Sequence, residues 1–178
     1  MTVNEKMSKL IIIRGNSGSG KSSVAKGLQR RFGRNTLVIP QDTVRRELLW
    51  AHDGYNTAAL PLLISLLHYG HEHSEVVILE GILNANWYKP LFEDAVALFG
   101  KDIYAYYYDL SFEETLKRHE TKNNRFDFGE TEMRQWWNEK DYIGFIPEKT
   151  IGEKMSLDEA VDMIFSDTQA ERNHRLSL

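Results

Sequence analysis

The sequence predicts an α/β fold in three layers, a five-stranded parallel sheet with helices on both faces, and a small helical lid. Two observations carry this. Short apolar runs of strand length alternate with longer segments of helical periodicity. The first run, Leu10-Ile11-Ile12-Ile13, passes directly into a glycine-rich loop and then into a helical stretch, the order of a strand–loop–helix unit. A chain of 178 residues without internal repeat or Pro/Ser-rich linker is expected to be one domain over 1–178. Its core is expected at about 8–168, the lid at about 117–140 and a polar C-terminal tail at 170–178.

The strands are expected at Lys9 to Arg14, Thr36 to Pro40, Val76 to Glu80 and Asp102 to Asp109, with a weaker last one near Lys149 to Ile151. After the glycine-rich loop, Val24, Ala25, Leu28 and Phe32 fall on one helix face. Ala58 to His71 and Trp87 to Phe99 read as helices, the second with Pro90 in its first turn. Ser111 with Glu114, and Ser156 with Glu159, have the spacing of capping boxes. In such a sheet ligands bind beyond the carboxyl ends of the strands, so chemistry is expected where strands end.

Gly15-Asn16-Ser17-Gly18-Ser19-Gly20-Lys21-Ser22 fits GxxxxGK[ST], the Walker A phosphate-binding loop, and Ser23 follows in the first helical turn. Its glycines let the backbone curl until successive N–H groups face phosphate oxygens, and the helix N-terminus adds its positive dipole end. Lys21 is expected to reach the β- and γ-phosphates, and the Ser22 hydroxyl to hold Mg²⁺. ATP and Mg²⁺ are therefore the expected cofactors. The alternative is a glycine-rich turn that only links strand to helix; a strand directly before the loop and a helix directly after it argue against that.

Asp42 leaves the second strand, with Arg45 one helical turn on. A carboxylate here suits a general base that takes the proton of an attacking hydroxyl, and the guanidinium suits a substrate or phosphate. Capping of a helix beginning at Thr43 explains Asp42 equally well. Glu80 closes the third strand, where an acid holds the Mg²⁺ water shell or orients substrate. Asn84 and Asn86 read as loop formers. Arg118, Lys122 and Arg125 share one face if their helix continues, and a cationic lid can neutralise a moving phosphoryl group; a solvated helix face explains them too. Adjacent tryptophans on one helix do not both face a core, so Trp137 is a candidate pocket wall beside Trp136. The spacing of His71-Glu72-His73 points the two rings apart, and the tyrosines of 104–108 read as strand packing.

Together these residues resemble the small P-loop kinases, a group that includes chloramphenicol phosphotransferase, the 5′-kinase domain of polynucleotide kinase and the zeta toxins. The resemblance implies a P-loop NTPase fold of the nucleoside/nucleotide-kinase type. It also implies Asp42 as base and Arg45 as a substrate or phosphate ligand. The chain is more similar still to bacterial P-loop kinases sometimes labelled uridine kinases. The shared stretches are Gln41-Asp42 with Arg45-Arg46, 77–85, 112–119, 129–134 with Trp136-Trp137, and Asp141. By the same resemblance adenine lies near 150–156. The chain departs from adenylate kinases in lacking dense arginine pairs in the lid, and it shows no nucleoside-binding motif.

The expected activity is transfer of the ATP γ-phosphoryl to a hydroxyl of a small-molecule acceptor, by Lys21, Asp42, Arg118 and Arg125, with Arg45, Glu80 and Trp137 toward the acceptor. A nucleic-acid 5′-hydroxyl kinase and a nucleotide-binding switch are the alternatives. The net charge of −4 argues against a polynucleotide partner. The absence of cysteine excludes disulfides and thiolate zinc sites. No leader peptide or membrane-length apolar run is visible, so cytoplasmic residence without a membrane partner is expected. Acceptor residues are expected from 50–67 and 123–144, which carry no readable code, and the oligomeric state has no signature.

Overall fold

A computed structural model describes residues 8–121 and 126–175, with side chains through residue 170. Its five parallel strands are β1 (Lys9–Gly15), β2 (Leu37–Pro40), β3 (Val76–Gly81), β4 (Ile103–Tyr108) and β5 (Glu148–Ile151), in the spatial order β2-β3-β1-β4-β5. The helices are α1 (Lys21–Phe32), α2 (Gln41–Thr43), α3 (Ala59–His73), α4 (Lys89–Phe99), α5 (Phe112–Glu120), α6 (Glu130–Gln135) and α7 (Leu157–Arg175). This is the expected three-layer α/β/α fold.

Strand alternation sorts the layers. Leu10, Ile12, Val77 and Leu79 pack on one face with Leu63 and Leu67 of α3 and Leu91, Phe92 and Ala95 of α4. Ile11, Ile13 and Ile78 pack on the other with Val24 and Leu28 of α1 and Ala160 and Ile164 of α7. Each fully buried aliphatic side chain contributes roughly 1.5–3 kcal/mol.

From β1 the chain crosses to β2 on one side of the sheet, and from β3 it crosses to β4 on the other. The carboxyl ends of β1 and β3 therefore flank a switch point, where ligands bind in such sheets. Ile13 pairs with Glu80 and Arg14 with Gly81, so the Walker loop begins level with the end of β3. Pro40 of β2 also pairs with Glu80, which puts Gln41 and Asp42 just beyond the same edge.

Local expectations hold with three differences. Helix α7 runs through Arg175, so 170–175 continues the helix where a polar tail was expected. Ser156 and Glu159 close a full capping box, with bonds of 2.8 and 3.2 Å. Ser111 makes only half of one: its hydroxyl caps Glu114 N, but its own N–H donates to Glu153, because Glu114 is drawn to Arg118. Helix α2 starts at Gln41, capped by Pro40 without a side-chain bond, and opens into a π-helical turn over Val44–Leu48. Asp42 thus lies inside a helix and caps nothing.

Candidate active site

The Walker loop is built from left-handed backbone. Gly18 has φ +84°, and a Cβ there would stand 2.5 Å from the Thr115 carbonyl oxygen. Gly15 has φ +142° and meets the Tyr108 Cβ just as tightly, at 2.7 Å. No other residue type fits either position. Gly20 ends the loop with φ +105° and gives α1 no side-chain cap, leaving the first N–H groups of α1 facing the loop. Lys21 is buried. Its Nζ donates to the Asn16 carbonyl at 2.8 Å and to Ser19 Oγ at 3.2 Å, inside the curve of the loop.

Ser22 and Glu80 were expected to share a metal, and the structure brings them together: Ser22 Oγ donates to Glu80 Oε1 at 2.8 Å across the β1–β3 crevice. Glu80 is 6% exposed. A hydroxyl and a carboxylate at this separation are hard oxygen donors, which suits Mg²⁺, an ion that takes one or two protein oxygens and fills its shell with phosphate and water.

Asp42 stands one strand away with its side chain 61% exposed. Both carboxylate oxygens face guanidinia, Oδ1 at 2.6 Å from Arg45 Nη2 and Oδ2 at 3.5 Å from Arg46 Nη1. Arg45 is braced in turn, donating to the Ala51 carbonyl at 3.1 Å and lying 3.8 Å from Asp53. Asp53 accepts a 2.6 Å bond from the buried Tyr88 hydroxyl, which accepts from Gln41. Burial first, and Asp53 beside it, push the Tyr88 phenol far above its ordinary value, so it stays a neutral donor. Asp42, Arg45, Arg46, Glu47, Trp50, Ala51, His52 and Asp127 line a cleft of about 820 Å³, within the range of small-molecule sites.

Arg118 spends its donors on a brace, to Glu114 at 2.7 Å and to the carbonyls of Ser19 and Glu153 at 3.0 Å each. It ties the Walker loop to the segment between β5 and α7. Helix α5 ends at Glu120, with Thr121 as its cap. Lys122 and Arg125 lie outside the described residues. Trp137 follows α6, half-buried, edge-on to Phe112 at 5.2 Å with its Nε1 on Glu139, and is not part of the cleft wall. Trp50 is.

Two further networks had no visible signal in the sequence. The Asn16 amide grips the Asn138 backbone, donating to its carbonyl and accepting from its N–H at 2.8 Å each. Asn138 also accepts from Asn84. Arg14, fully buried, binds the Leu83 carbonyl, Asp141 and Glu148, with both carboxylates at 2.8 Å. Arg30 and Arg31 sit in the last turn of α1, at the end opposite the Walker loop, where Arg31 pairs with Asp162.

No protein-family model matches the sequence, and no curated protein matches it. Solved structures do. A gluconokinase from Sinorhizobium meliloti 1021 superposes with a TM-score of 0.69 at 18% identity, over 97% of this chain and 99% of that one. The APS kinase of Mycobacterium tuberculosis, in complex with AMPPNP and APS, gives 0.61 at 21%, over 90% and 96%. The tunicamycin resistance protein of Deinococcus radiodurans gives 0.61 at 16%, over 91% and 96%. The chain has the fold of these proteins. Identities this low carry the architecture and leave the chemistry to the residues. No helix among the described residues is long and apolar enough to cross a membrane.

Proposed function

We propose that the protein is a Mg²⁺-ATP-dependent kinase that phosphorylates a hydroxyl of a small molecule. One observation carries the reading. Asp42 stands exposed on the wall of a small-molecule-sized cleft, one strand from a Glu80–Ser22 pair set against a Walker loop. A nucleotide-binding switch has no use for a carboxylate in that place. The kinases among the structural neighbours support the reading through their fold.

The loop N–H groups and Lys21 hold the β- and γ-phosphates, and Ser22 with Glu80 would hold Mg²⁺, which supplies charge neutralisation on the phosphate oxygens. The acceptor hydroxyl enters the cleft against Asp42. Its oxygen attacks the γ-phosphorus and its proton passes to the Asp42 carboxylate. The bond to the β,γ-bridging oxygen breaks and ADP leaves. Arg45 and Arg46 orient the carboxylate, and Arg118, anchored at the Ser19 carbonyl of the Walker loop, is proposed as the cation that stabilises the moving phosphoryl group. Arg125 is proposed as its partner and residues 150–156 as the adenine seat.

A polynucleotide acceptor fits less well. The cleft sets three carboxylates against two guanidinia, and Arg30 and Arg31 sit at the end of α1 opposite the Walker loop. The test is ADP release by purified protein with Mg²⁺ and a panel of nucleosides, aminoglycoside- and amphenicol-type alcohols, sugars and 5′-hydroxyl oligonucleotides. Stimulation by one small-molecule class is expected. A panel in which only the oligonucleotides stimulate would replace this reading with the nucleic-acid one.

A further inference from the structure

Trp50 is the most conspicuous residue that the phosphoryl chemistry leaves unused. It is 93% exposed, although tryptophan is ordinarily among the well-covered side chains. Its backbone is left-handed, φ +48°, a region that bulky side chains rarely occupy and that is retained where a site demands it. At that exposure the ring gains little packing to offset the strain.

The strained backbone is also held firmly. The Ala51 N–H donates to the Arg45 carbonyl at 2.8 Å, and Arg45 Nη1 donates to the Ala51 carbonyl at 3.1 Å, so the residue after Trp50 is clamped from both sides. Thr57 then donates to the His52 carbonyl at 2.7 Å and fixes the next residue. The π-helical turn over Val44–Leu48 sets the chain's exit toward this position; such turns recur at functional sites.

The same guanidinium that clamps Ala51 binds Asp42 Oδ1 at 2.6 Å. One side chain thus fixes both the carboxylate and the segment carrying the indole, and both line the same cleft. An exposed indole on a rigid mount beside a base is a stacking surface. The charges of the cleft wall nearly balance, which disfavours a polyanionic ligand.

We propose that Trp50 is the acceptor's stacking platform, and that the acceptor is a planar-ring compound, aromatic or heteroaromatic, whose hydroxyl reaches Asp42. The identity of the acceptor rests on the kinase reading; the stacking does not. Arg45 acts as the positioning residue that sets the distance from ring to carboxylate.

The test separates the two. The indole N–H resonance of Trp50 is assigned by its loss in Trp50→Phe. Wild-type protein with Mg²⁺ and a non-hydrolysable ATP analogue is then titrated with uridine and 4-nitrobenzyl alcohol as planar probes and with ribitol as a saturated control. The planar probes are expected to shift the Trp50 resonance and ribitol to leave it in place. Turnover is followed in parallel. Trp50→Ala is expected to raise the KM of a planar acceptor about tenfold with a smaller change in kcat, and Trp50→Phe to recover most of that loss. A Trp50 resonance that ignores both planar probes, or responds equally to ribitol, overturns the stacking proposal. A resonance that shifts for planar probes while no phosphoryl group moves to any acceptor upholds stacking and overturns the kinase reading.

Discussion

At the scale of single residues, Asp42 decides the chemistry. Asp42→Asn keeps the size and the contact with Arg45 but cannot take a proton. It is expected to lower kcat for acceptor phosphorylation by roughly 10²–10⁴-fold while ATP affinity changes little, measured by steady-state kinetics beside calorimetric ATP titration. Glu80→Gln is expected to raise the Mg²⁺ concentration needed for half-maximal activity, because it replaces an anionic oxygen beside Ser22 with a neutral one. Lys21, Ser22 and Glu80 were legible in the sequence because their roles follow from position in one loop and at one strand end. Position alone left Asp42 a choice between cap and base, and only the family resemblance implied the base. The structure removes the cap, since Asp42 sits within α2 and faces side chains. Trp50 was not legible: its exposure and left-handed backbone go with bonds between Arg45 and Ala51, and no local pattern encodes them.

At the scale of elements, the site is a set of loops held in register by long-range bonds. Asn16 and Asn138 are 122 positions apart, and their two hydrogen bonds fix the segment following α6 to the Walker loop. Asn16→Ala removes both and is expected to cost about 2 kcal/mol, at about 1 kcal/mol per bond, read from the urea midpoint. Gly18→Ala forces a Cβ against the Thr115 carbonyl in a left-handed conformation. It is expected to cost about 1–3 kcal/mol and to weaken ATP binding, because the loop must move away from α5 to relieve the clash. The alternation of strands and helices was readable from hydrophobic period alone, and element ends differed by a few residues. The half-made cap at Ser111 was not readable, because the sequence does not show that Arg118 competes for Glu114.

At the scale of the whole molecule, one buried charge cluster and a few shifted titrating groups add to the stability that the two cores supply. Arg14 is enclosed between β1, the turn after β3 and the start of β5, and it neutralises Asp141 and Glu148. Arg14→Met leaves two carboxylates facing each other without a cation and is expected to cost about 3–5 kcal/mol, seen as a fall in Tm. Glu132, Glu153 and Glu159 are held below their ordinary 4.5 by backbone and hydroxyl donors at helix starts. Their contribution is present above about pH 4.5 and is lost as pH falls through their lowered values. Burial raises Tyr106 and Tyr88 above the ordinary 10.0 and pushes Tyr108 up to about 12. Stability held by these neutral phenols is complete below pH 10.0 and declines above it. A Tm profile from pH 3 to 11 is expected to be flat in the middle, shallow on the acid side, where the glutamates are solvated, and steeper on the alkaline side. The most direct measurement of the central claim is ³¹P NMR of a stimulating acceptor incubated with Mg²⁺-ATP and either wild-type protein or Asp42→Asn. With Asp42 as the base, a phosphoester signal grows in step with ADP for the wild type and is nearly absent for the variant. ADP accompanied only by inorganic phosphate, at equal rates in both proteins, would contradict it.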